Sequence, residues 1–589
     1  MMRCFCEKEN YHIRDCGARI ACRIFRLSGE RQQSISAEPT VTPLEIADKG
    51  APAASPTTPP STSPTTLPLE TVNKLILPEE KYQGIPVLAP LLKRGIEVRI
   101  GSNSSCNLNF SDVSYFSSQA ALAFWNKSEK AIVVDNYSNA LTASALASVL
   151  DIPLLYYGET TGYAIEKLGC KEVIAVGNFS YQAPAQAAQP QAGVLELDEN
   201  SFLDYFIGLR PPSYLVVANP YDNETLKSYY PQGKQTPHTP HLSCLAPLFA
   251  AHYGGMIVTA TSDPHEIDRK IEWVARRMHD LGIEKSGGEC MLRHLLLVGD
   301  AVSLTPVYYW FETITPNGGA WWFCTPTDNP YADLDGKTDF EHEQGEEIDE
   351  RILTPELACG RLVAKTLEDG FNYAYRIFNY NSLLSGWEKN ALIWCGALAE
   401  PGEGHNILVQ SAWLLGGFSV KDDTVEAHTF NSGAIAADMQ NSNFIAAVAD
   451  HGSPSGNTVQ YGDLKPMPPN IVFPVSCLMG QIDNYQSDWG VTKKNSFTYA
   501  VLEKGAAAYV APTRPTVCGM LLLQGDGLIL AHEDAGILCY QFYGNLINSN
   551  CTAGEALMSA KPNAHPYINC QYTLYGDPGF NPYEPKNNG

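Results

Sequence analysis

Two short apolar stretches decide the fold: Phe444-Ile-Ala-Ala-Val-Ala-Asp-His-Gly452 and Ile471-Val-Phe-Pro-Val-Ser-Cys-Leu-Met-Gly480. Both are too short for a globular helix, are rich in valine, isoleucine and phenylalanine, and break at glycine, which predicts two buried β-strands. In an open parallel sheet, ligands bind at the carboxyl ends of the strands. Because His451 and Cys477 close the two predicted strands, we expect a base and a nucleophile to meet at one edge of the sheet.

Strand and helix patterns alternate on both sides of these stretches. Such alternation predicts parallel β–α–β units, and the carboxyl-terminal 200 residues fit one doubly wound, mostly parallel sheet. Besides the two opening stretches, the sequence predicts strands over 391–394 and 507–511 and helices over 406–415, 434–439, 496–504 and 532–548.

A smaller α/β segment precedes the predicted carboxyl-terminal sheet. Its characteristic runs are Ala143-Ser-Ala-Leu-Ala-Ser-Val-Leu150, Ile152-Pro-Leu-Leu155 and Leu168-Gly-Cys-Lys-Glu-Val-Ile-Ala-Val-Gly177. Through them, residues 125–180 resemble the cell-wall-binding repeat of bacterial surface proteins. The resemblance implies a docking module with a cell-wall polymer as partner; a purely supporting α/β domain is the structural alternative.

The charge balance limits the classes of partner. Aspartate and glutamate number 64 against 40 lysines and arginines, which gives a net charge of −24. Such a surface repels phosphate backbones and anionic membranes, so nucleic acid is not expected as a partner. No run of 18 apolar residues occurs, so no transmembrane segment is expected.

Acidic side chains crowd residues 333–350. Asp333, Asp335 and Asp339 surround a glycine turn and supply the hard oxygen ligands that calcium prefers. The run is also compatible with a solvated acidic loop, so two interpretations stay open. The chemistry predicted for the His/Cys pair requires no cofactor.

A cysteine and a histidine at neighbouring strand ends form a workable catalytic pair. A nearby cationic imidazole stabilises the thiolate near pH 7, and the same imidazole can protonate a leaving amine. The N–H of Gly452 can closely approach an oxyanion because glycine has no Cβ. No serine-hydrolase, zincin or nucleotide-binding motif competes with this interpretation.

Further motifs accompany this pair in a fixed order. They are Leu297-Val-Gly-Asp300, Tyr331-Ala-Asp-Leu-Asp335, Pro355-Glu-Leu-Ala-Cys-Gly-Arg361, Asp450-His-Gly-Ser453, Val475-Ser-Cys-Leu-Met-Gly480 and Tyr575-Gly-Asp-Pro578. Through them, residues 293–580 resemble the gingipain-like cysteine peptidases, which share the caspase-type α/β fold.

The resemblance implies a cysteine endopeptidase acting on proteins or peptides. It assigns the nucleophile to Cys477, the general acid/base to His451 and the oxyanion hole to the backbone N–H groups of Gly452 and Cys477. Glu356 matches the acid that orients the imidazole, with Asp335 or Asp349 as alternatives.

The chain departs from the family pattern at two places. Asp450 stands where a small residue usually precedes His-Gly, and we expect its carboxylate to raise the pKa of His451. After the strand 507–511, this chain has Thr513-Arg-Pro-Thr-Val-Cys518 where the family tends to have an aromatic residue near the pocket, so the resemblance leaves specificity for arginine or lysine open.

These observations predict four segments. Residues 1–72 form a disordered leader and a Pro/Ser/Thr-rich linker, 73–290 an amino-terminal α/β domain, 291–385 a first peptidase subdomain and 386–589 the catalytic subdomain. The linker composition is typical of extracellular or cell-envelope proteins, although no signal peptide is visible. A catalytically silent surface-binding protein on a peptidase fold is the alternative function.

Overall fold

The computed structural model describes residues 73–582, apart from 103–107, 109, 111, 180–191, 229–233, 284–290, 315–319, 335–339, 341, 342, 345, 347, 349, 384–388, 396–398, 424–430, 488, 517–521, 525, 526 and 530–534. The leader and linker expected over 1–72 lie outside the described residues. Within the described part, no helix combines the length and the apolar composition needed to cross a bilayer.

Strands form where the sequence is rich in valine, isoleucine, leucine and alanine. In chain order they are β1 (Lys74–Leu77), β2 (Glu97–Ile100), β3 (Lys130–Val134), β4 (Leu154–Tyr156), β5 (Glu172–Val176), β6 (Gly193–Leu197), β7 (Tyr214–Ala218), β8 (Met256–Thr259), β9 (His294–Val298), β10 (Val307–Ile314), β11 (Ala320–Thr327), β12 (Ala358–Leu362), β13 (Asn390–Cys395), β14 (Ser419–Asp422), β15 (Phe444–Asp450), β16 (Asn470–Ser476), β17 (Ala506–Pro512), β18 (Leu522–Gln524), β19 (Gly527–Ile529) and β20 (Tyr572–Gly576). Every residue of β16 and β17 is buried, as expected for central strands covered on both faces.

Helices alternate with these strands. They are α1 (Ile85–Leu88), α2 (Val113–Phe124), α3 (Tyr137–Leu150), α4 (Thr161–Leu168), α5 (Glu199–Leu209), α6 (Ala246–Tyr253), α7 (Pro264–Asp280), α8 (Leu367–Phe378), α9 (Tyr380–Leu383), α10 (Ala399–Leu415), α11 (Ser432–Met439), α12 (Phe497–Lys504), α13 (Ala535–Ser549), α14 (Ala553–Ala560) and α15 (Pro566–Gln571). Side-chain caps at Asp112, Asn136 and Thr366 satisfy the first N–H groups of α2, α3 and α8.

Ten strands form the main sheet, in the order β14-β13-β15-β16-β17-β20-β12-β9-β7-β8. Neighbouring strands run parallel except β17 and β20, which are antiparallel. The sheet therefore has two parallel halves that run in opposite directions. The carboxyl ends of β13 to β17 lie at one edge, together with the amino ends of β20 and β12. The predicted mostly parallel α/β fold is confirmed.

The smaller segment has a parallel sheet of its own, in the order β4-β3-β5-β6. The domain boundaries expected at residues 290 and 385 do not coincide with sheet boundaries, because β7, β8, β9 and β12 all belong to the main sheet. The sequence pattern of a strand predicts that the strand is buried, but it does not predict which strands it pairs with or which sheet it joins.

Arg361 of the Gly-Arg motif is a structural residue. Its side chain is 1% exposed and pairs with Asp328 through two hydrogen bonds. The same guanidinium donates to the carbonyl oxygens of Gly299 at 3.0 Å and Leu304 at 2.7 Å. Arg361 thereby ties the loop that follows β9 to the neighbouring strand β12.

Asp300, which ends the Leu-Val-Gly-Asp motif, forms a buried pair with His238. The imidazole Nδ1 lies 3.1 Å from the Asp300 carboxylate and Nε2 lies 3.1 Å from the carbonyl oxygen of Asn223. Both ring nitrogens thus face acceptors, an arrangement that suits the doubly protonated ring. Burial alone lowers the pKa of His238, but Asp300 outweighs it and the pKa is raised. Burial likewise raises the pKa of Asp300, but His238 and backbone N–H groups hold it below its usual value.

We predict that His238→Gln destabilises the protein in a pH-dependent way. A raised folded-state pKa stabilises the fold fully below the unfolded pKa of about 6.5, and this contribution is lost as pH rises through the folded value. The free energy of unfolding should therefore fall by about 2 kcal/mol at pH 6 and by less at pH 9. Urea denaturation at both pH values measures the change. His265→Gln, at an exposed position, is the control, and a loss from His238→Gln that is equal at both pH values would contradict the prediction.

Candidate active site

The pairing of β15 with β16 brings His451 and Cys477 together. Asp450 is the register partner of Ser476 in this parallel pair. His451 directly follows Asp450 and Cys477 directly follows Ser476, so both residues lie side by side where the two strands end, at the same edge of the sheet. His451 is exposed and Cys477 is partly buried. The two residues singled out from the sequence therefore lie at adjacent strand ends.

A β-bulge in β15 sets this register. Ala447 faces Pro474 and Asp450 faces Ser476, so three residue steps on β15 match two on β16. Proline has no N–H to donate to a strand ladder and is confined within sheets to edges and bulges. Without the extra residue, Asp450 rather than His451 would lie opposite Cys477.

Gly452 packs directly against the backbone at Cys477. A Cβ at Gly452 would lie 2.3 Å from the carbonyl oxygen of Cys477 and 2.7 Å from its nitrogen. Such distances exclude any side chain, so the glycine is required by a close backbone approach rather than by a turn. The loop after His451 is thus held on the strand that carries the cysteine.

Backbone N–H groups surround the thiol. The N–H of Thr516 donates to Sγ of Cys477 at 3.4 Å, and the thiol lies 3.6 Å from the carbonyl oxygen of Thr516. Burial raises the pKa of the Cys477 thiol, while the N–H groups of Thr516, Cys477 and Gly452 oppose that rise. Two of these three donors are those that the resemblance assigns to the oxyanion hole.

The residue after the cysteine has a strained backbone. Leu478 has a φ of 63°, in the left-handed region that a branched side chain rarely adopts. Its N–H donates to the carbonyl oxygen of Arg514 at 3.2 Å, and its carbonyl oxygen accepts from the N–H of Gln481 at 3.0 Å. The chain therefore turns sharply away from β16 and leaves Cys477 at the edge of the sheet.

Asp450 anchors the loop that carries the histidine. Its carboxylate is 7% exposed and accepts from the N–H of Thr458 at 2.9 Å. Asn457 in the same loop donates to Oγ of Ser476 at 3.2 Å. The loop from 451 to 458 thus folds back onto the end of β16. The expectation that Asp450 raises the pKa of His451 stays a prediction.

The structure does not place Glu356 beside His451. Glu356 is exposed, precedes β12, and its carboxylate accepts from the N–H of Leu334 at 2.8 Å. Three strands separate β12 from β15, the strand that leads to His451, which amounts to about 19 Å between the two strands at the usual spacing. The alternatives Asp335 and Asp349 lie outside the described residues. The strand next to β15 on its other side is β13, which is followed by α10.

The acids predicted for calcium are only partly described. Asp333 is 5% exposed, whereas Asp335 and Asp339 lie outside the described residues. Among the residues that are described, no group of three or more histidine, cysteine, aspartate or glutamate side chains is arranged to hold a metal ion. Calcium binding by the acidic run stays a prediction.

Sequence reasoning missed the contributions of Thr516, Arg514 and Leu478. Thr516 and Arg514 lie in the segment that the sequence analysis treated only as lacking an aromatic residue. The signal for a buried role was the isolated arginine directly after the apolar strand β17. Nothing local marks Leu478, because its positive φ follows from contacts with a loop far away in the sequence.

Similarity to known proteins identifies the family of the chain. The model of peptidase family C25 matches residues 257–583, over half of the chain. No curated protein matches. Among solved structures, one described as "Structure of Protease" has 15% identity and a TM-score of 0.42, covering 63% of this chain and 80% of that chain. The separase–securin complex of Saccharomyces cerevisiae at 3.0 Å has 9% identity and a TM-score of 0.31, covering 56% of this chain and 18% of that chain. The chain belongs to peptidase family C25, the gingipain family, and is a cysteine peptidase with a caspase-like fold.

Proposed function

We propose that the protein is an endopeptidase that cleaves proteins or peptides with a Cys477–His451 dyad. The observation that carries the proposal is the register that leads His451 and Cys477 out of adjacent strands, with Gly452 packed against the cysteine backbone. The Cys477 thiolate attacks the scissile carbonyl carbon, and the imidazolium of His451 protonates the leaving amine. Water, deprotonated by the now neutral imidazole, then hydrolyses the thioester and releases the acid.

The environment of the thiol explains why Cys477 needs a positively charged neighbour. Burial raises the pKa of Cys477, so few thiolates form near neutral pH without a cation beside them. An imidazolium at His451 would supply that cation. The N–H groups of Gly452 and Cys477 can then stabilise the oxyanion once the substrate carbonyl occupies the space beside Sγ. A catalytically silent binding protein would not need this arrangement.

The location outside the cell belongs to the same proposal. The Pro/Ser/Thr-rich linker and the membership of the gingipain family support an extracellular or envelope-associated peptidase.

Cleavage of a mixed peptide library tests the dyad. We expect Cys477→Ala to lower kcat/KM by at least ~10³-fold and His451→Ala by ~10²- to 10⁴-fold, because the nucleophile or its acid/base is lost. Mass spectrometry of the products also reveals the P1 preference. Tyr461→Ala, at an exposed position in the loop after His451, is the matched control. Identical cuts by wild type and Cys477→Ala would refute the proposal.

The role of Glu356 is tested by substitution. The resemblance assigns to Glu356 the acid that orients His451, whereas three strands separate β12 from β15 in the main sheet. We predict that Glu356→Gln stays within about twofold of the wild-type kcat/KM, because an acid at that distance does not hold the imidazole. A loss of about tenfold or more would restore Glu356 to the role, and thermal denaturation controls for folding.

We propose as a second function that the smaller segment binds a cell-wall polymer. A cleft of about 330 Å³ lies at the carboxyl ends of β5 and β8 and is within the usual size range of ligand sites. The repeat-like segment contributes Ser138, Asn139 and Asn178, and α7 contributes Lys270 and Trp273. Hydroxyl, amide and charged groups beside an indole suit a polyhydroxylated chain.

Co-sedimentation with insoluble peptidoglycan tests this second function. We expect Trp273→Ala to lower the bound fraction about fivefold, because the apolar face of the cleft is lost. Tyr163→Ala is the matched control, since Tyr163 is an aromatic residue of the repeat-like segment, 48% exposed and outside the cleft. Equal binding by wild type and Trp273→Ala would exclude the cleft.

A further inference from the structure

A buried ion pair lies close to the nucleophile and takes no part in the proposed chemistry. Arg514 is 3% exposed and Asp483 is fully buried. Their contact is bidentate, with Nη1 and Nη2 each 2.9 Å from a carboxylate oxygen. The remaining N–H groups donate to the carbonyl oxygens of Cys324, Thr513 and Tyr485 at 2.7 to 2.9 Å. The planar guanidinium thus has a fixed position and orientation.

The pair joins three segments that are distant in sequence. Asp483 follows Cys477 by six residues, Arg514 follows β17, and Cys324 belongs to β11. Asp483 also accepts from the hydroxyl of Tyr308 on β10 at 3.0 Å and from the N–H of Tyr485 at 3.2 Å. The two-stranded sheet of β10 and β11, the loop after Cys477 and the loop after β17 therefore meet at one buried charge pair.

The backbone around Arg514 reaches the nucleophile by two routes. The carbonyl oxygen of Arg514 accepts the N–H of Leu478, the residue with positive φ that follows Cys477. Two residues beyond Arg514, the N–H of Thr516 donates to Sγ of Cys477. Between them, the carbonyl oxygen of Pro515 accepts from the hydroxyl of Tyr567. A shift of Arg514 would therefore move both the turn at Leu478 and the donor on the sulfur.

Packing alone does not account for such a pair. Buried ion pairs are often replaceable by apolar residues of similar volume without loss of stability. A strained backbone conformation at a functional site persists only where the surrounding contacts over-determine it. The fork of Arg514 supplies such contacts, because its donors reach a carboxylate and three carbonyl oxygens in fixed directions.

We propose that Arg514 and Asp483 are positioning residues for Cys477. They hold Leu478 in its left-handed conformation and keep the Thr516 N–H on the sulfur, and so set the reactivity of the thiol. The inference rests on the proposed function in that it concerns the same nucleophile. Its readout is the chemistry of the thiol itself, which does not require peptide cleavage.

The test is the pH profile of iodoacetamide alkylation at Cys477 in the full chain, measured by mass spectrometry of the peptide that contains it. Arg514→Lys keeps the positive charge but loses the planar guanidinium that makes the bidentate contact with Asp483. We expect the alkylation rate at pH 7 to fall at least tenfold and the midpoint of the profile to move to higher pH. Loss of the Thr516 donor accounts for both changes, because that donor favours the thiolate.

Arg361→Lys is the matched control. Arg361 on β12 also forms a buried bidentate pair, with Asp328, but it contacts the loop after β9 instead of the surroundings of Cys477. Both variants should lower the thermal unfolding temperature, whereas only Arg514→Lys should change alkylation. Equal alkylation changes in the two variants, or none in Arg514→Lys, would overturn the proposal.

A second variant covers failure to fold. If Arg514→Lys lacks a cooperative thermal transition, the same alkylation profile is measured on Asp483→Asn. This variant keeps the shape of the carboxylate but removes its charge. A slower rate with a raised midpoint supports the proposal, and a wild-type profile overturns it. Wild type that alkylates selectively at Cys477 yet cleaves no peptide would refute the endopeptidase and leave the positioning role intact.

Discussion

The register between β15 and β16 is the constraint on which the candidate site depends. In a strand, successive side chains point to opposite faces, so a shift of one residue would exchange the positions of Asp450 and His451. The bulge beside Pro474 supplies the shift that puts His451 next to Cys477. A proline inside a central strand is normally unfavourable, because it removes a hydrogen bond from the ladder. Here the lost bond coincides with the bulge that the site requires.

The antiparallel contact between β17 and β20 explains a second feature of the site. Because the two halves of the sheet run in opposite directions, one edge collects carboxyl ends from the first half and amino ends from the second. The Pro355–Arg361 motif therefore begins at the same edge as His451 and Cys477. Its lateral distance from His451 is set by the strand order, which motif order in the sequence does not encode. Glu356 therefore matches the family motif in the sequence, and yet its strand, β12, lies several strands away from β15, which leads to His451.

Much of the local structure could be predicted from the sequence. The predicted strands at 391–394, 444–452, 471–480 and 507–511 and the predicted helices at 434–439 and 496–504 correspond to described elements, because period and composition are local signals. The strand ends also identified His451 and Cys477. What could not be predicted depends on partners far apart in the chain. Arg514 and Asp483 are 31 residues apart in the sequence, and neither has a periodic neighbour that marks it as buried.

The ion pair between Arg514 and Asp483 lowers the stability of the fold in comparison with an apolar core, but it fixes the backbone around Cys477. A left-handed Leu478 costs of order 1–3 kcal/mol, and the desolvation of a buried ion pair costs several kcal/mol more. An apolar core of the same volume would avoid both costs, but it would leave the direction of the Arg514 carbonyl undefined. Leu478 could then relax to an ordinary conformation, and the turn that leaves Cys477 at the sheet edge would open. The protein therefore accepts a less favourable interior beside Cys477, and it keeps a fully buried, mostly apolar interior along β16 and β17, where packing dominates.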